Sequence, residues 1–312
     1  MEYTRLGNSE LEVSRICMGG CPMGGYGWGK VIKSDLKKAV HKAIDYGINF
    51  FDTADTYGLG ESERLLGDAI KNKRDEVIVA TKFGVRVING QTIYDNSPEW
   101  INQAVVASLK RLQTDYIDLY QIHYRDNVTP MEAIVETLER LKDKGYIRYY
   151  GLSNVYKKDM PELEPFKDYF ISFQDEYSLA CRENEEDMIY LSEHLELTPM
   201  TWGSLGQGIL SGKYDKNSVF GPDDRRSSAR YVNFHGKKLE KNLEIVEVMR
   251  QISKEINKPI PAIAIRWILD FMKNSVVLVG IKNEDQVISN AQAVGWELDP
   301  SDIQKLEIIS RP

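Results

Sequence analysis

The 312-residue chain has only three cysteines, Cys17, Cys21 and Cys181, and no Cys-x-x-Cys pair. An odd, sparse set excludes a disulfide framework and reads as usage in a reducing, cytoplasmic compartment. Four histidines, His41, His123, His194 and His235, show no metal-ligand spacing, so no metal site is expected. No apolar run approaches the ~20 residues of a membrane span, and Met1-Glu2-Tyr3-Thr4-Arg5 lacks the apolar stretch of a secretory leader. Positive charge is also short: 40 Lys+Arg stand against 47 Asp+Glu, a net −7. That balance weighs against nucleic acid or an anionic membrane as partner, while leaving room for a local basic pocket that takes one small anion.

What is present is a rhythm. A polar hairpin is expected at Tyr3–Leu6 and Leu11–Ser14, turning at Gly7-Asn8-Ser9. Strands are then expected at Arg15–Met18, Ile48–Phe51, Glu76–Thr81, Tyr116–Ile122, Tyr146–Leu152, Tyr169–Gln174, Thr198–Trp202 and Val276–Val279. Nearly all are followed by a helical pattern, such as one opening at Ser34-Asp35-Leu36 and stopping at Gly47, or Pro98–Leu112 with proline in its first turn. Beyond Trp202 lies a Gly- and charge-rich loop from Gly203 to about Lys238, and helices and a tail complete the chain. Eight βα units predict a closed (β/α)8 barrel in one domain spanning 1–312, with an N-terminal β-hairpin and extra C-terminal helices. The alternative is an open doubly wound sheet. The count of eight and the absence of Gly-x-Gly-x-x-Gly after the first strand favour the barrel.

In such barrels chemistry sits at the C-terminal ends of the strands. The second strand runs into Asp52, with Tyr57 one loop turn beyond; the third runs into Lys82 and the fourth into His123. Singly, these are a turn cap, a loop aromatic, an ion-pair partner and a core histidine. Together they compose an acid site. Asp52 would hold Lys82 charged, Lys82 would lower the phenol pKa of Tyr57, and His123 would hydrogen-bond a carbonyl oxygen as negative charge develops. Such a set suits delivery of a proton to an alkoxide.

The run Gly47-Ile48-Asn49-Phe50-Phe51-Asp52-Thr53-Ala54, continued by Tyr57-Gly58, Glu63 and Leu66-Gly67, resembles the aldo-keto reductase family. So do Ser108-Leu109-Lys110-Arg111-Leu112, Asp115 to Leu119 with His123, and Gly151-Leu152-Ser153-Asn154. The resemblance runs from Tyr3 to about Ala293. It implies an (α/β)8 barrel, a nicotinamide dinucleotide bound without a Rossmann domain, and a catalytic tetrad at Asp52, Tyr57, Lys82 and His123. It further implies that Ser153 and Asn154 grip the nicotinamide carboxamide with Gln174, and that Tyr177 stacks on the nicotinamide ring. Gly20, Leu205, Gly206 and Gly280 are placed beside the cofactor. Trp202-Gly203-Ser204-Leu205 departs from the family's usual Tyr-Ser-Pro-Leu, losing a hydroxyl at Gly203. Lys213 matches a cofactor-side lysine of some branches, and Arg225 or Arg226 a nearby arginine. In Gly280-Ile281-Lys282-Asn283, Lys282 would meet the 2′-phosphate of NADPH, and Gln286 and Asn290 the adenine; Ser289 stands where a Glu is usual.

Met23, Tyr26, Trp28, Phe83, Tyr124 and Trp202 could wall a pocket for a small carbonyl substrate or simply seal loops over the barrel mouth. The resemblance therefore implies an NADPH-dependent reductase of aldehydes, ketones or sugars. The rival is a cofactor-sensing regulatory protein of the kind found among channel β subunits. A phosphosugar barrel without nicotinamide would leave the tetrad and Ser153-Asn154 without purpose.

Overall fold

The computed structural model describes residues 1–311. Strands β1 (Tyr3–Arg5) and β2 (Glu12–Ser14) form an antiparallel hairpin with Tyr3 opposite Ser14. The chain continues through β3 (Ile16–Gly19), α1 (Lys33–Asp45), β4 (Phe50–Asp52), α2 (Glu61–Ile70), β5 (Ile78–Phe83), β6 (Val85–Ile88), β7 (Gln91–Tyr94), α3 (Pro98–Leu112) and β8 (Ile117–Ile122). Next come α4 (Met131–Asp143), β9 (Ile147–Ser153), α5 (Met160–Leu163), β10 (Ser172–Glu176), α6 (Glu185–Leu195) and β11 (Thr198–Trp202). The last elements are α7 (Gly236–Ile256), α8 (Ile260–Phe271), β12 (Val276–Gly280), α9 (Glu284–Ala291) and α10 (Pro300–Ser310). Eight parallel strands close in the order β3-β4-β5-β8-β9-β10-β11-β12, and β12 returns to β3 with Val277 opposite Ile16. That last pairing separates the barrel from an open sheet.

Strand periodicity of two builds the interior in layers. At the N-terminal end Cys17, Phe50, Ala80, Leu119, Met200, Val276 and Leu278 form an apolar plug, sealed below by Leu6, Leu11 and Val13 of the hairpin. Two residues further along the same strands stand Asp52, Lys82, Gln121 and Trp202. A polar layer thus rests on an apolar floor. The alternate residues, including Phe51, Val79, Tyr120 and Phe173, pack outward against the helices in a second core.

Helix ends follow local chemistry. Ser97 caps α3 by accepting from the Trp100 amide at 3.3 Å, with Pro98 in the first turn. α1 begins one residue before Ser34, and its N-cap is Ile32 with no side-chain cap bond, so Ser34 does not open it as expected. Tyr169 lies in a 3-10 turn (Glu164–Tyr169), and β10 starts three residues later than expected, at Ser172.

Two features differ more substantially. Between β5 and α3 the chain inserts the β6–β7 hairpin, turning on Asn89-Gly90, both with positive φ. Asn-Gly between two strand-like runs is the strongest short-range hairpin signal a sequence carries, and the expected strand–helix rhythm passes over it. The loop after β11 has a small core of its own: Tyr214, Phe220 and Phe234 pack edge-on or tilted at centroid distances of 5.0–5.4 Å, with the Arg226 guanidinium among them. Arg226 is paired with buried Asp224 at 2.5 Å. A loop expected to bury little is instead an ordered strap.

Candidate active site

Lys82 and Asp52 form an ion pair at 2.6 Å with side chains 1% and 2% exposed. The Lys82 ammonium also donates to the Thr53 carbonyl at 2.9 Å. The other carboxylate oxygen of Asp52 accepts from the amides of Gln121 and Gln174, each at 3.0 Å. A buried charge pair with its remaining lone pairs satisfied is the arrangement that makes such burial tolerable. Gln121 was not anticipated, yet its signal was available: it follows Leu119 by two and therefore shares the inward face. Gln174 is turned to Asp52 through its amide nitrogen. Gly20 likewise donates its amide to the Asp52 carbonyl, at 2.6 Å, and is buried there between strand ends.

Tyr57 and His123 stand over this pair. Their rings meet edge to face at 6.1 Å, and the Lys82 nitrogen lies 5.3 Å from the Tyr57 ring centroid. Burial pushes the Tyr57 phenol well above its ordinary pKa, with Cys21, Asp52 and Tyr124 adding to the rise. The net direction is opposite to the lowering expected from Lys82, because burial is the largest cause. Burial, then the Lys82 charge, pushes His123 down to about 3, so its imidazole is neutral near pH 7. Its Nδ1 is buried without a hydrogen-bond partner among the described residues. Behind the tetrad, Glu63 accepts from Thr81 at 2.7 Å and pairs with Arg111 at 2.5 Å. Asp55, on the loop to Tyr57, is pushed up to about 7 by burial and by Glu63.

Around the mouth, Ser153 is buried, and Asn154 donates to the His123 carbonyl at 2.9 Å and to the Ser153 hydroxyl at 3.0 Å. Tyr177 corrects an expectation. It is fully buried against Trp267 at a centroid distance of 5.6 Å. Both its position and its stacking partner remove it from a nicotinamide. Trp202, two residues after inward Met200, is the half-buried aromatic that ends β11 at the mouth. Met23 and Phe83 are buried in the outer core and line no pocket, whereas Trp28 and Tyr124 are half-buried and Tyr26 is 64% exposed.

After β11, Leu205 (φ −105°, ψ 19°) and left-handed Gly206 (φ 54°) make a tight turn in which the Gly206 amide donates to the Gly203 carbonyl at 2.7 Å. The adjoining Gln207 is held by Glu176 at 2.7 Å and by Asn233 at 2.5 Å. Asn283 caps the N-terminus of α9 through the Gln286 amide at 3.0 Å. Half-buried Lys282 donates its ammonium to the Trp28 carbonyl at 2.5 Å, and its amide to the Gln286 side chain at 2.7 Å. Burial lowers its pKa, and the charges of Arg226 and exposed Lys213 lower it further while Asp224 acts the other way, so three cations and one carboxylate form a cluster here. Gly280 ends β12 exposed beside this cluster, and Asn290 is buried on α9. A helix N-terminus and a cluster with three cations to one carboxylate fit a phosphate-bearing dinucleotide. A groove of about 860 Å³ on the outside of α1 to α3 is no competitor, since ion pairs such as Lys37–Asp68 span it.

Comparison with known proteins agrees with this geometry. The aldo/keto reductase family model matches residues 15–311. The chain is 34% identical to the aldo-keto reductase YhdN of Bacillus subtilis, over 99% of this chain and 93% of that protein. It is 30% identical to a probable voltage-gated potassium channel subunit beta of Arabidopsis thaliana, over 94% of this chain and 91% of that protein. Among solved structures, a glycerol dehydrogenase from Gluconobacter oxydans superposes with a TM-score of 0.88 at 30% identity, covering 98% of this chain and 94% of that one. The chain belongs to the aldo/keto reductase family and is an NAD(P)H-dependent oxidoreductase.

Proposed function

We propose that the protein reduces an aldehyde, ketone or sugar carbonyl to the alcohol with NADPH, and that Tyr57 donates the proton. The observation that carries this reading is the meeting of Tyr57, His123, Lys82 and Asp52 at one level of the barrel, with the Lys82 nitrogen 5.3 Å from the Tyr57 ring. NADPH, when bound, supplies the hydride. Ser153, Asn154 and Trp202 would hold its nicotinamide end. Leu205, Gly206, Lys213, Lys282, Gln286 and Asn290 would hold its phosphates and adenine.

The chain's own groups do the rest. A phenol whose pKa is raised stays protonated near pH 7 and gives up its proton only to a stronger base, which a developing alkoxide is. Neutral His123 keeps one ring N–H with which to hydrogen-bond the carbonyl oxygen as charge grows on it. Lys82, held charged by Asp52, is the cation nearest the phenolate left behind. The glycerol dehydrogenase relative supports a polyol or its carbonyl form within the substrate range.

Steady-state NADPH oxidation across an aldehyde, ketone and sugar panel tests the reading. Tyr57→Phe should lower turnover by the ~10²–10⁴ that general acid catalysis supplies, with NADPH affinity near normal. Turnover above half the wild-type value would remove Tyr57 as the acid. The resemblance to a channel β subunit supports a second reading, a cofactor-sensing regulator. Tight NADPH binding without turnover of any carbonyl would favour it.

A further inference from the structure

Arg225 and Arg226 are neighbours with opposite fates. Arg226 is consumed inside the strap by Asp224, at 2.5 and 2.8 Å, and by the hydroxyl of Tyr214. Arg225 turns the other way. Its backbone amide donates to the Gly27 carbonyl at 3.0 Å, and its side chain packs directly on Gly27. The guanidinium lies over the Tyr26 and Trp28 rings, 5.4 and 5.8 Å from their centroids. Among the described residues no carboxylate comes within 4.0 Å of it, and none of its side-chain N–H groups has an acceptor.

This unpaired cation is on the chemical side of the mouth. Trp28 donates its indole N–H to the Cys21 thiol at 3.2 Å, and Gly24, three residues on, packs against the Tyr57-Gly58 backbone. Burial raises both the Tyr57 phenol and the Cys21 thiol, and the Arg225 charge acts on both in the opposite direction. Aromatic rings flank His123 as well: Tyr124 stacks on it at 5.0 Å, and Tyr94 of the β6–β7 hairpin packs tilted on Tyr124 at 5.2 Å.

We propose that Arg225 anchors an anionic group of the substrate, so that this reductase prefers planar or aromatic aldehydes carrying a carboxylate. A guanidinium fork matches a carboxylate geometrically, and its aromatic neighbours hold it in place without neutralising it. Tyr124, stacked on His123, and Tyr94 beside it would take the ring face. The inference rests on the reductase reading, and it gives Arg225 to the substrate where the family pattern implies the cofactor.

The test is kcat/KM for 4-carboxybenzaldehyde divided by that for benzaldehyde, in the wild type, Arg225→Met and Arg225→Lys. The ratio should fall about 10- to 100-fold in Arg225→Met, the worth of a charge-assisted hydrogen bond, and less in Arg225→Lys. NADPH affinity is followed by fluorescence, and binding of 4-(hydroxymethyl)benzoate to the NADP⁺-loaded protein by calorimetry. An unchanged ratio overturns the proposal: weakened NADPH binding would then return Arg225 to the cofactor, and unchanged binding would leave it a clamp for the strap. A fall confined to glyceraldehyde 3-phosphate over glyceraldehyde overturns the carboxylate assignment. Should no aldehyde turn over, the reductase reading fails. Arg225-dependent binding of the benzoate alcohol would then still support the anion site, and its absence would overturn it.

Discussion

Gln174 reaches across 122 positions of sequence to donate its amide to Asp52 at 3.0 Å. That bond and its twin from Gln121 satisfy one carboxylate oxygen of Asp52, and the other pairs with Lys82 at 2.6 Å. The tetrad is therefore a charged pair below two neutral rings.

Removing one half of that pair should be felt in stability as well as in chemistry. Lys82→Met strands a buried carboxylate, and loss of one partner of a buried pair typically costs 3–5 kcal/mol. Denaturant unfolding should show a loss of about that size, together with near-complete loss of turnover. In Asp52→Asn/Lys82→Met much of the stability should return and the turnover should not. A double variant as unstable as the single one would mean that Lys82 acts through packing.

Lys282 should decide cofactor choice. Its half-buried ammonium is held by the Trp28 carbonyl, one residue before the Asn283 cap of α9. Lys282→Ala should weaken NADPH about 10- to 100-fold, the value of a charge-assisted hydrogen bond to phosphate, and leave NADH nearly unchanged. Fluorescence titration with both cofactors reads this directly, and equal losses would make Lys282 a support for the Trp28 loop.

The strap after β11 should respond to the cofactor. It is clasped to the loop after β3 by the Arg225 amide on Gly27 and by Trp28 packed edge-on against Tyr231 at 5.8 Å. Hydrogen exchange over 203–235 should slow when NADP⁺ is added. Gly27→Ala should speed it, because Gly27 has φ +79° and an added Cβ would meet the Arg225 side chain at 2.6 Å. Equal exchange with and without NADP⁺ would show that the strap does not close on the dinucleotide.

Asp175 should make stability fall with rising pH. It is 1% exposed on the outer face of β10, and burial, with Asp187 and Glu176 near, pushes it from 3.8 up to about 7. The folded chain thus holds a proton that the unfolded chain releases near pH 4, so stability is full below that and declines until about pH 7. Asp175→Asn should flatten this decline and stabilise the protein at pH 8 by up to ~4 kcal/mol, at 1.36 kcal/mol per unit. Parallel stability curves for variant and wild type from pH 4 to 8 would contradict it.

Much of this was legible in one dimension. Eight apolar runs separated by helical patterns dictate a parallel barrel, because buried parallel strands need helical crossovers and eight of them close. The tetrad was legible because Asp52, Lys82 and His123 each end an apolar strand, where a charge must find a partner. Parity along a strand would also have found Gln121, since side chains alternate faces whatever the residue type. Tertiary structure decided the rest. Only the closed barrel shows that burial leaves the Tyr57 phenol raised despite Lys82 nearby, because the balance of burial against charge depends on distances the sequence does not contain. Only the strap's path shows that Arg226 is spent inside it while Arg225 faces the mouth, because adjacent residues in a 3-10 turn point apart according to what the turn packs upon.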